Sequence, residues 1–411
     1  MDTVDFRIRV DTDEPLLDPG TFFRDELPAA IAAHDDAIVP ALDFVAPRPI
    51  AIEVDGEAWT LARVNDRVVI TPGHDADAKV HVRMTGEQLT DLARDQATIM
   101  SMWAANELDQ PRGNVGHCLD WWLVLRAALD GTPIYTPGSV TFADRDGAPL
   151  DVGRSFRPDD DPDEMQHFLR EAGFLHLKGV FGTEQMAAVA ADMDNAAPSY
   201  TQGDGRSWWA RTADGDTRVV RMQGFDRESS TVQGILDDPR FLSLADIPGA
   251  GHEFGRKRAA NRIEALFKPI GVTEGISDIP WHKDCGIGRH SYECCGLTVG
   301  ISVTGADDVS GQLRVLAGSH RALVWSGIRQ PELDLPDVPL PTETGDVTLH
   351  LSCTMHMAQP PTERERRVMY SGFSLPVRED VDREALVAAR ARRGAARETA
   401  PLTVLDKHFK S

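Results

Sequence analysis

Residues 280–290 read PWHKDCGIGRH, and this stretch decides how the second half of the chain folds. In an extended run, side chains two apart point to the same face, so a strand entering the glycine turn would bring His282 and Asp284 together. Alone, a histidine and an aspartate at this spacing are a weak signal. A third candidate ligand, His356, stands on a later predicted strand in HLSCTMHMAQPPTERERRVMY, and Arg367 follows it eleven residues on. Two imidazoles and one carboxylate on one side of a metal leave three adjacent positions open, which suits non-haem Fe(II) oxygen chemistry. Two open positions can take a chelating 2-oxo acid and one can take dioxygen. A nearby arginine then offers a bidentate anchor for the far carboxylate of that acid.

Working outward, residues 262–376 read mostly as strands: NRIEALFKPIG, GLTVGISVTG, GQLRVLAGS, GDVTLHLSC and RRVMYSGFSL. Gly, Asp and Pro turns separate them, which predicts an antiparallel barrel or jelly roll. Upstream, Asp161 as cap, Pro162 at the first helical position and Glu164 at the third predict a helix with Met165, Phe168, Leu169 and Ala172 inward, ended by Gly173. The strand FLHLKGV follows, then a helix from Thr183 with Met186, Val189, Ala190 and Met193 inward. A last helix, DVDREALVAARARR, and a loose tail close the chain; Arg390, Arg392, Arg393 and Arg397 there read as a solvated face.

Taken together, ALFKPIG, WHKDCGIG, GISVTGADDVSGQLRVLAGSHR and GDVTLHLSCTMHMAQPPTERERRVMYSGF resemble the phytanoyl-CoA dioxygenase (PhyH) family of Fe(II)- and 2-oxoglutarate-dependent oxygenases, over about residues 161–376. The resemblance implies a double-stranded β-helix. It also implies that His282, Asp284 and His356 hold iron, that Arg367 binds the C5 carboxylate of 2-oxoglutarate with Arg366 as the fallback, and that Lys268 lies near the cosubstrate. Two departures stand out: Met357 and Ala358 follow the distal histidine where the family has Gly and a small hydroxyl residue, and Ala317 replaces a proline. Retention of Asp284 favours hydroxylation over halogenation, with 2-oxoglutarate and O2 converted to succinate and CO2; desaturation and cyclisation stay open.

The N-terminal part reads differently. Strand alternation runs through PIAIEVDGEAWTLARVNDRVVITPG, with Ile50, Ile52 and Val54 before the turn Asp55-Gly56. Thr85 and Gln88 form a predicted capping box ahead of Leu89 and Leu92, and Val115, Leu119, Trp122, Leu125 and Leu129 recur at helical spacing. From 37 to 130 this pattern resembles the sterol-carrier-protein-2 (SCP2)-like domain, which implies either a lipid-binding unit or an accessory, dimer-forming one. The expected fold class is therefore α+β: an SCP2-like α+β domain over 1–139, a linker over 140–160 with one short strand around Val140 to Phe142, a double-stranded β-helix (jelly-roll) oxygenase domain with flanking helices over 161–380, and a helix and tail over 381–411.

A chain of 411 residues with 41% hydrophobic and 26% charged residues is long enough for two or three packed domains. Its net charge of −22 repels nucleic acid. No apolar run of about 18 residues is present to span a membrane, and the N-terminus lacks the basic lead and apolar core of a secretory signal. Five cysteines without zinc-site spacing read as reduced thiols, so a cytoplasmic protein is expected. The partners expected are a small-molecule or lipid-like substrate and O2. Two alternatives remain: a lipid-binding protein with an inert oxygenase-like domain, and a zinc hydrolase using the same His/Asp/His set, which would have no need of the arginine. Of the other residues, His350 is a rival for the distal position, His320 reads as turn support, His290 and Tyr292 can face substrate or solvent, Cys285, Cys294 and Cys295 read as small buried groups, and Trp208-Trp209 can line an entrance or pack a core.

Overall fold

The buried apolar side chains gather in three clusters, two large and one small, the small one including Tyr135, Leu316 and Met355. The structure is a computed structural model that describes residues 15–104, 106–254, 262–275, 277–285, 296–330 and 332–376. The expected helix over DVDREALVAARARR, together with His290, Tyr292, Cys294 and Cys295, lies outside these residues.

In the first part, β1 (Ile50–Val54), β2 (Glu57–Val64), β3 (Arg67–Pro72), β4 (Val80–Met84) and β5 (Asp109–Arg112) form one sheet in the order β3-β2-β1-β4-β5. The pair β1 and β4 is parallel, and the other neighbours are antiparallel. The Thr85 and Gln88 box caps the helix Gly86–Ala93 as the sequence predicts. Asn114 caps the helix Val115–Asp130, which Gly131 ends in the left-handed region at φ 68°. Trp121, Trp122, Leu119 and Leu123 on that helix are buried against Ile50, Val54, Val80 and Val82 of the sheet, with Phe22 and Phe23 from the helical stretch before it.

The segment 131–160 differs from expectation. Val140–Phe142 forms no strand; an isolated bridge pairs Ala143 with Pro149 instead. Val140 and Phe142 pack where a side chain at Gly318 would stand, at 2.8 Å from its Cβ position. Another bridge joins Ile134 to Leu323, and Leu323 belongs to the first core, so the two parts are in contact. Among the described residues no helix is long and apolar enough to cross a membrane.

The second part carries the helices Pro162–Ala172, capped by Asp161 and ended by Gly173, and Thr183–Ala196. Its strands are β6 (Phe174–Leu177), β7 (Ser207–Thr212), β8 (Thr217–Gln223), β9 (Glu253–Phe254), β10 (Glu264–Lys268), β11 (Val272–Glu274), β12 (Gly296–Ser302), β13 (Leu313–Leu316), β14 (Asp337–Leu340), β15 (Val347–Leu351), β16 (His356–Ala358) and β17 (Arg366–Ser374). A nine-stranded sheet runs β11-β7-β8-β10-β17-β12-β15-β6, with β9 also on β17, and a three-stranded sheet runs β14-β13-β16. The expected jelly roll is thus two sheets, and among the described residues no strand pairing closes them into a barrel.

Alternation sorts the large sheet into two faces. Met222, Ala265, Met369, Val299 and Leu349 are fully buried in one core with Met186, Val189 and Met193 of the helix Thr183–Ala196. The opposite face, called the inner face below, is polar. In register it carries Gln223 beside Glu264, Arg221 beside Leu266, Glu264 beside Tyr370, Lys268 beside Arg366, Tyr370 beside Gly300, and Thr298 beside His350.

Candidate active site

His282 does not sit in a strand. It makes one β-bridge, in which His282 and His356 exchange backbone N–H to carbonyl bonds at 2.9 Å each way, and the chain turns helical at Asp284. The H-x-D pair therefore converges by a bridge and a turn, not by the two-residue repeat of a strand. Lys283 between them is fully buried and gives its Nζ to the Ser319 carbonyl at 2.8 Å, which pins this turn.

One ligand atom each of His282, Asp284 and His356 lies within 4.8 Å of the others. The Nδ1 of His282 bonds the Pro280 carbonyl at 2.7 Å and the Nδ1 of His356 bonds the Thr354 carbonyl at 2.9 Å. A carbonyl can only accept, so each Nδ1 carries the proton and each Nε2 keeps its lone pair. Both Nε2 atoms turn to the same carboxylate oxygen, Asp284 Oδ1, at 3.3 and 3.7 Å. The other oxygen, Oδ2, accepts from Thr298 Oγ1 at 3.0 Å and lies 3.5 Å from His350 Nε2. Two imidazole lone pairs and one carboxylate oxygen facing a common point fit a ferrous ion, with the outer bonds fixing each ligand's orientation.

Electrostatics agree with that donor set. Burial, followed by the neighbouring His350 and His282 rings, holds His356 well below the usual imidazole range, so it is neutral as a metal ligand must be. Desolvation works to raise the Asp284 carboxyl although its side chain is 36% exposed, and His356, His282 and His350 together outweigh this and keep the carboxyl well below its ordinary range.

His350 and His356 end on different sheets because the chain turns at Ser352 and Cys353 between β15 and β16. His350 nevertheless packs its ring 4.1 Å from that of His356, and it is buried.

At Lys268 and the two arginines Arg366 and Arg367 the structure departs from expectation. Arg367 turns to the helix side of the sheet: its Nη1 donates to the Ala190 carbonyl and to Asp194 Oδ2, each at 2.9 Å, and its guanidinium lies over Phe267. Arg366, one residue earlier, is on the inner face and 3% exposed. Its Nη1 donates to the Gly311 carbonyl at 2.6 Å, while its Nε and Nη2 have no protein partner. Lys268 is its cross-strand neighbour, also 3% exposed, with Nζ bonded to the Ser277 carbonyl and 3.1 Å from Asp278. Burial lowers the Lys268 ammonium to about 8, opposed by Asp278 and reinforced by Arg366.

His320 takes the supporting role: its Nε2 bonds the Arg170 carbonyl at 2.8 Å and it is far from solvent. Ala317 is fully buried. The strands β7 and β8 were not anticipated from the sequence. They bring Trp208, Arg221 and Gln223 to the inner face, and the signal available was the alternation Val219, Arg221, Gln223 against Val220 and Met222.

The family model for phytanoyl-CoA dioxygenase (PhyH) matches residues 169–368. No curated protein matches the chain. Three of the similar solved structures are the epimerase SnoN in complex with Fe3+, alpha ketoglutarate and nogalamycin RO (19% identity, 52% of this chain and 83% of that one, TM-score 0.41), AviO1 from Streptomyces viridochromogenes Tue57 (17%, 54% and 98%, 0.41), and EctD from S. alaskensis with 2-oxoglutarate and 5-hydroxyectoine (17%, 59% and 86%, 0.43). With the His/Asp/His geometry inside the matched segment, residues 169–368 form a PhyH-like Fe(II)/2-oxoglutarate oxygenase domain.

Proposed function

We propose that this oxygenase hydroxylates a small organic substrate at a centre held by His282, Asp284 and His356, with Arg366 and Lys268 binding the C5 carboxylate of 2-oxoglutarate. The observation that carries the reading is the pair of fixed tautomers: both Nδ1 atoms are engaged by carbonyls, and both Nε2 atoms meet Asp284 Oδ1. Bound ferrous iron supplies the activation of dioxygen that couples 2-oxoglutarate oxidation to succinate and CO2 with oxidation of the substrate. The chain's own residues do the rest. His282 and His356 present lone pairs, Thr298 holds the other oxygen of Asp284 with His350 Nε2 3.5 Å from it, and Arg366 offers two unpartnered N–H-bearing nitrogens, Nε and Nη2, to an incoming carboxylate. A buried arginine with such nitrogens is costly unless an anion joins it. The anchor expected at Arg367 therefore passes to Arg366.

Anaerobic addition of Fe(II) and 2-oxoglutarate to the metal-free protein tests this. The expected result is a weak visible charge-transfer band that is absent from His356→Ala; a wild-type protein without the band would overturn the assignment.

For the N-terminal part we keep the SCP2-like domain over 1–139, joined through 140–160 to the oxygenase domain over 161–380. Its support is a cavity lined wholly by apolar side chains, among them Phe22, Phe23, Val82, Leu89, Trp121 and Trp122. That cavity also favours the second reading, a lipid-binding protein; the intact ligand triad disfavours an inert oxygenase half. A cytoplasmic setting stays part of this proposal, on the reading of the five cysteines as reduced thiols.

A further inference from the structure

The inner face of the large sheet has a closed end and an open end. Leu266, Lys268, Arg366 and Val368 are buried, whereas Trp208, Arg221, Gln223, Glu264, Tyr370 and Thr298 on the same face are only half-buried. Thr298 contacts Asp284, so the open end adjoins the proposed metal centre. At this end Arg221 pairs with Glu264, with side-chain exposures of 20% and 12%, and its guanidinium lies 4.3 Å over the ring of Trp208. Gln223 Nε2 is 3.5 Å from Glu264 Oε1. Tyr370 stands opposite Glu264, and it can lie across the sheet toward Thr348 because Gly300 has no Cβ; one there would meet the Tyr370 ring at 2.9 Å and Thr348 Oγ1 at 2.7 Å.

The charge balance of the two ends differs. Among the described residues, the closed end has two cations, Lys268 and Arg366, against one carboxylate, Asp278, which leaves a positive surplus for the distal carboxylate of 2-oxoglutarate. At the open end, among the described residues, Arg221 and Glu264 cancel, and the remaining groups are an amide, a phenol, an indole and the Thr298 hydroxyl. An anionic substrate would have to displace Glu264 from Arg221, and a cationic one would have to displace Arg221 from Glu264. A hydrocarbon chain would strip water from both ions without replacing its hydrogen bonds. A neutral group rich in hydroxyls can bridge donor and acceptor at once and stack on the aromatic rings.

We propose that Arg221, Glu264, Gln223 and Tyr370 determine substrate specificity, and that the part of the substrate entering here is neutral and hydroxyl-bearing, not an acyl chain. The proposal rests on the oxygenase reading above and narrows its substrate class away from a lipid-like one at this end of the site.

Saturation-transfer NMR on the full chain loaded with Zn(II), a redox-silent stand-in, and 2-oxoglutarate tests it with methyl glucoside, myo-inositol, dodecanol, L-glutamate and betaine as probes. Methyl glucoside or myo-inositol is expected to bind wild type in preference to glutamate and betaine, and any dodecanol bound in the N-terminal apolar cavity is expected to be unmoved by the variants below. Glu264→Gln leaves Arg221 without its counter-ion, and glutamate binding is expected to strengthen about tenfold. Tyr370→Phe, which keeps the ring, is expected to weaken polyol binding about threefold and serves if Glu264→Gln does not fold. Absence of polyol binding to wild type, dodecanol binding that Glu264→Gln or Tyr370→Phe changes, equal or better binding of glutamate or betaine, or an unmoved preference in both variants overturns the proposal. Anaerobic Fe(II) and 2-oxoglutarate added to the same wild-type preparation separates the two readings: a visible band without polyol binding sinks only the substrate class, and no band sinks the oxygenase assignment.

Discussion

Lys268 on β10 and Arg366 on β17 are direct cross-strand partners on the inner face of the large sheet, and both are almost wholly buried. Two buried cations side by side repel each other, and Asp278 offsets only one of them. An anion that joins them relieves this. Arg366→Gln is therefore expected to weaken 2-oxoglutarate binding about tenfold or more, while Arg367→Gln changes it by less than about twofold, since Arg367 holds the exposed Asp194 on the helix side. Titration of the visible band with 2-oxoglutarate measures both, and equal losses would contradict the assignment of the two arginines.

The Lys268 ammonium, brought down to about 8 chiefly by its burial, gives this binding a pH dependence. Below that value the site holds both positive charges. As the pH rises through about 8 in the free protein, Lys268 loses its proton and the attraction for a dianion falls. The dissociation constant of 2-oxoglutarate should accordingly rise between pH 7 and 9 in wild type, and Lys268→Met should bind more weakly at pH 7 with the slope largely gone. A wild-type constant that stays flat across this range, measured by calorimetry with Zn(II) in place of iron, would count against Lys268 as a cosubstrate contact.

Thr298 donates to the Asp284 oxygen that faces away from His282 and His356. Losing that bond frees the carboxylate to rotate without altering the ligand count. Thr298→Val, which keeps the size of the side chain, is expected to lower Fe(II) affinity about tenfold while thermal unfolding of the metal-free protein shifts little. Competition with a metal chelator reads the affinity, and unchanged retention would show that His350 alone suffices to hold Asp284.

What could be read in the sequence was governed by local rules. The Thr85 and Gln88 capping box and the Asp161 to Gly173 helix were legible because caps and stops act through residues a few positions away. The three positions His282, Asp284 and His356, which lie together, were legible as a set from their residue types and order. Their geometry was not, because the bridge between His282 and His356 is a contact across 74 positions, and a strand-like spacing misled for His282 and Asp284. The choice between Arg366 and Arg367 turns on strand parity, where one step reverses the face, and only pairing with β10 sets it. The Trp208-Trp209 pair was noticed without a strand to place it, and Arg221 escaped notice, because β7 and β8 are half-exposed strands whose charged residues resemble a loop.

The junction between the two parts carries a last test. Asp120, on the helix Val115–Asp130, accepts from Trp325 Nε1 at 3.1 Å and is 8% exposed. Burial pushes its carboxyl up to about 7, partly offset by the Trp325 bond and reinforced by Glu332. The folded protein thus holds a proton that the unfolded chain, with an ordinary aspartate, has already released by about pH 5. Stability from this group is complete below pH 4 and is lost as the pH rises through 7, because ionisation then leaves a charge in a buried contact. Asp120→Asn keeps the acceptor for Trp325 and removes the charge, so its melting temperature should exceed that of wild type at pH 8 and the difference should shrink toward pH 5. Melting curves at the two pH values decide the matter: a variant destabilised equally at both would mean that Asp120 is held ionised, and that the joint depends on its charge.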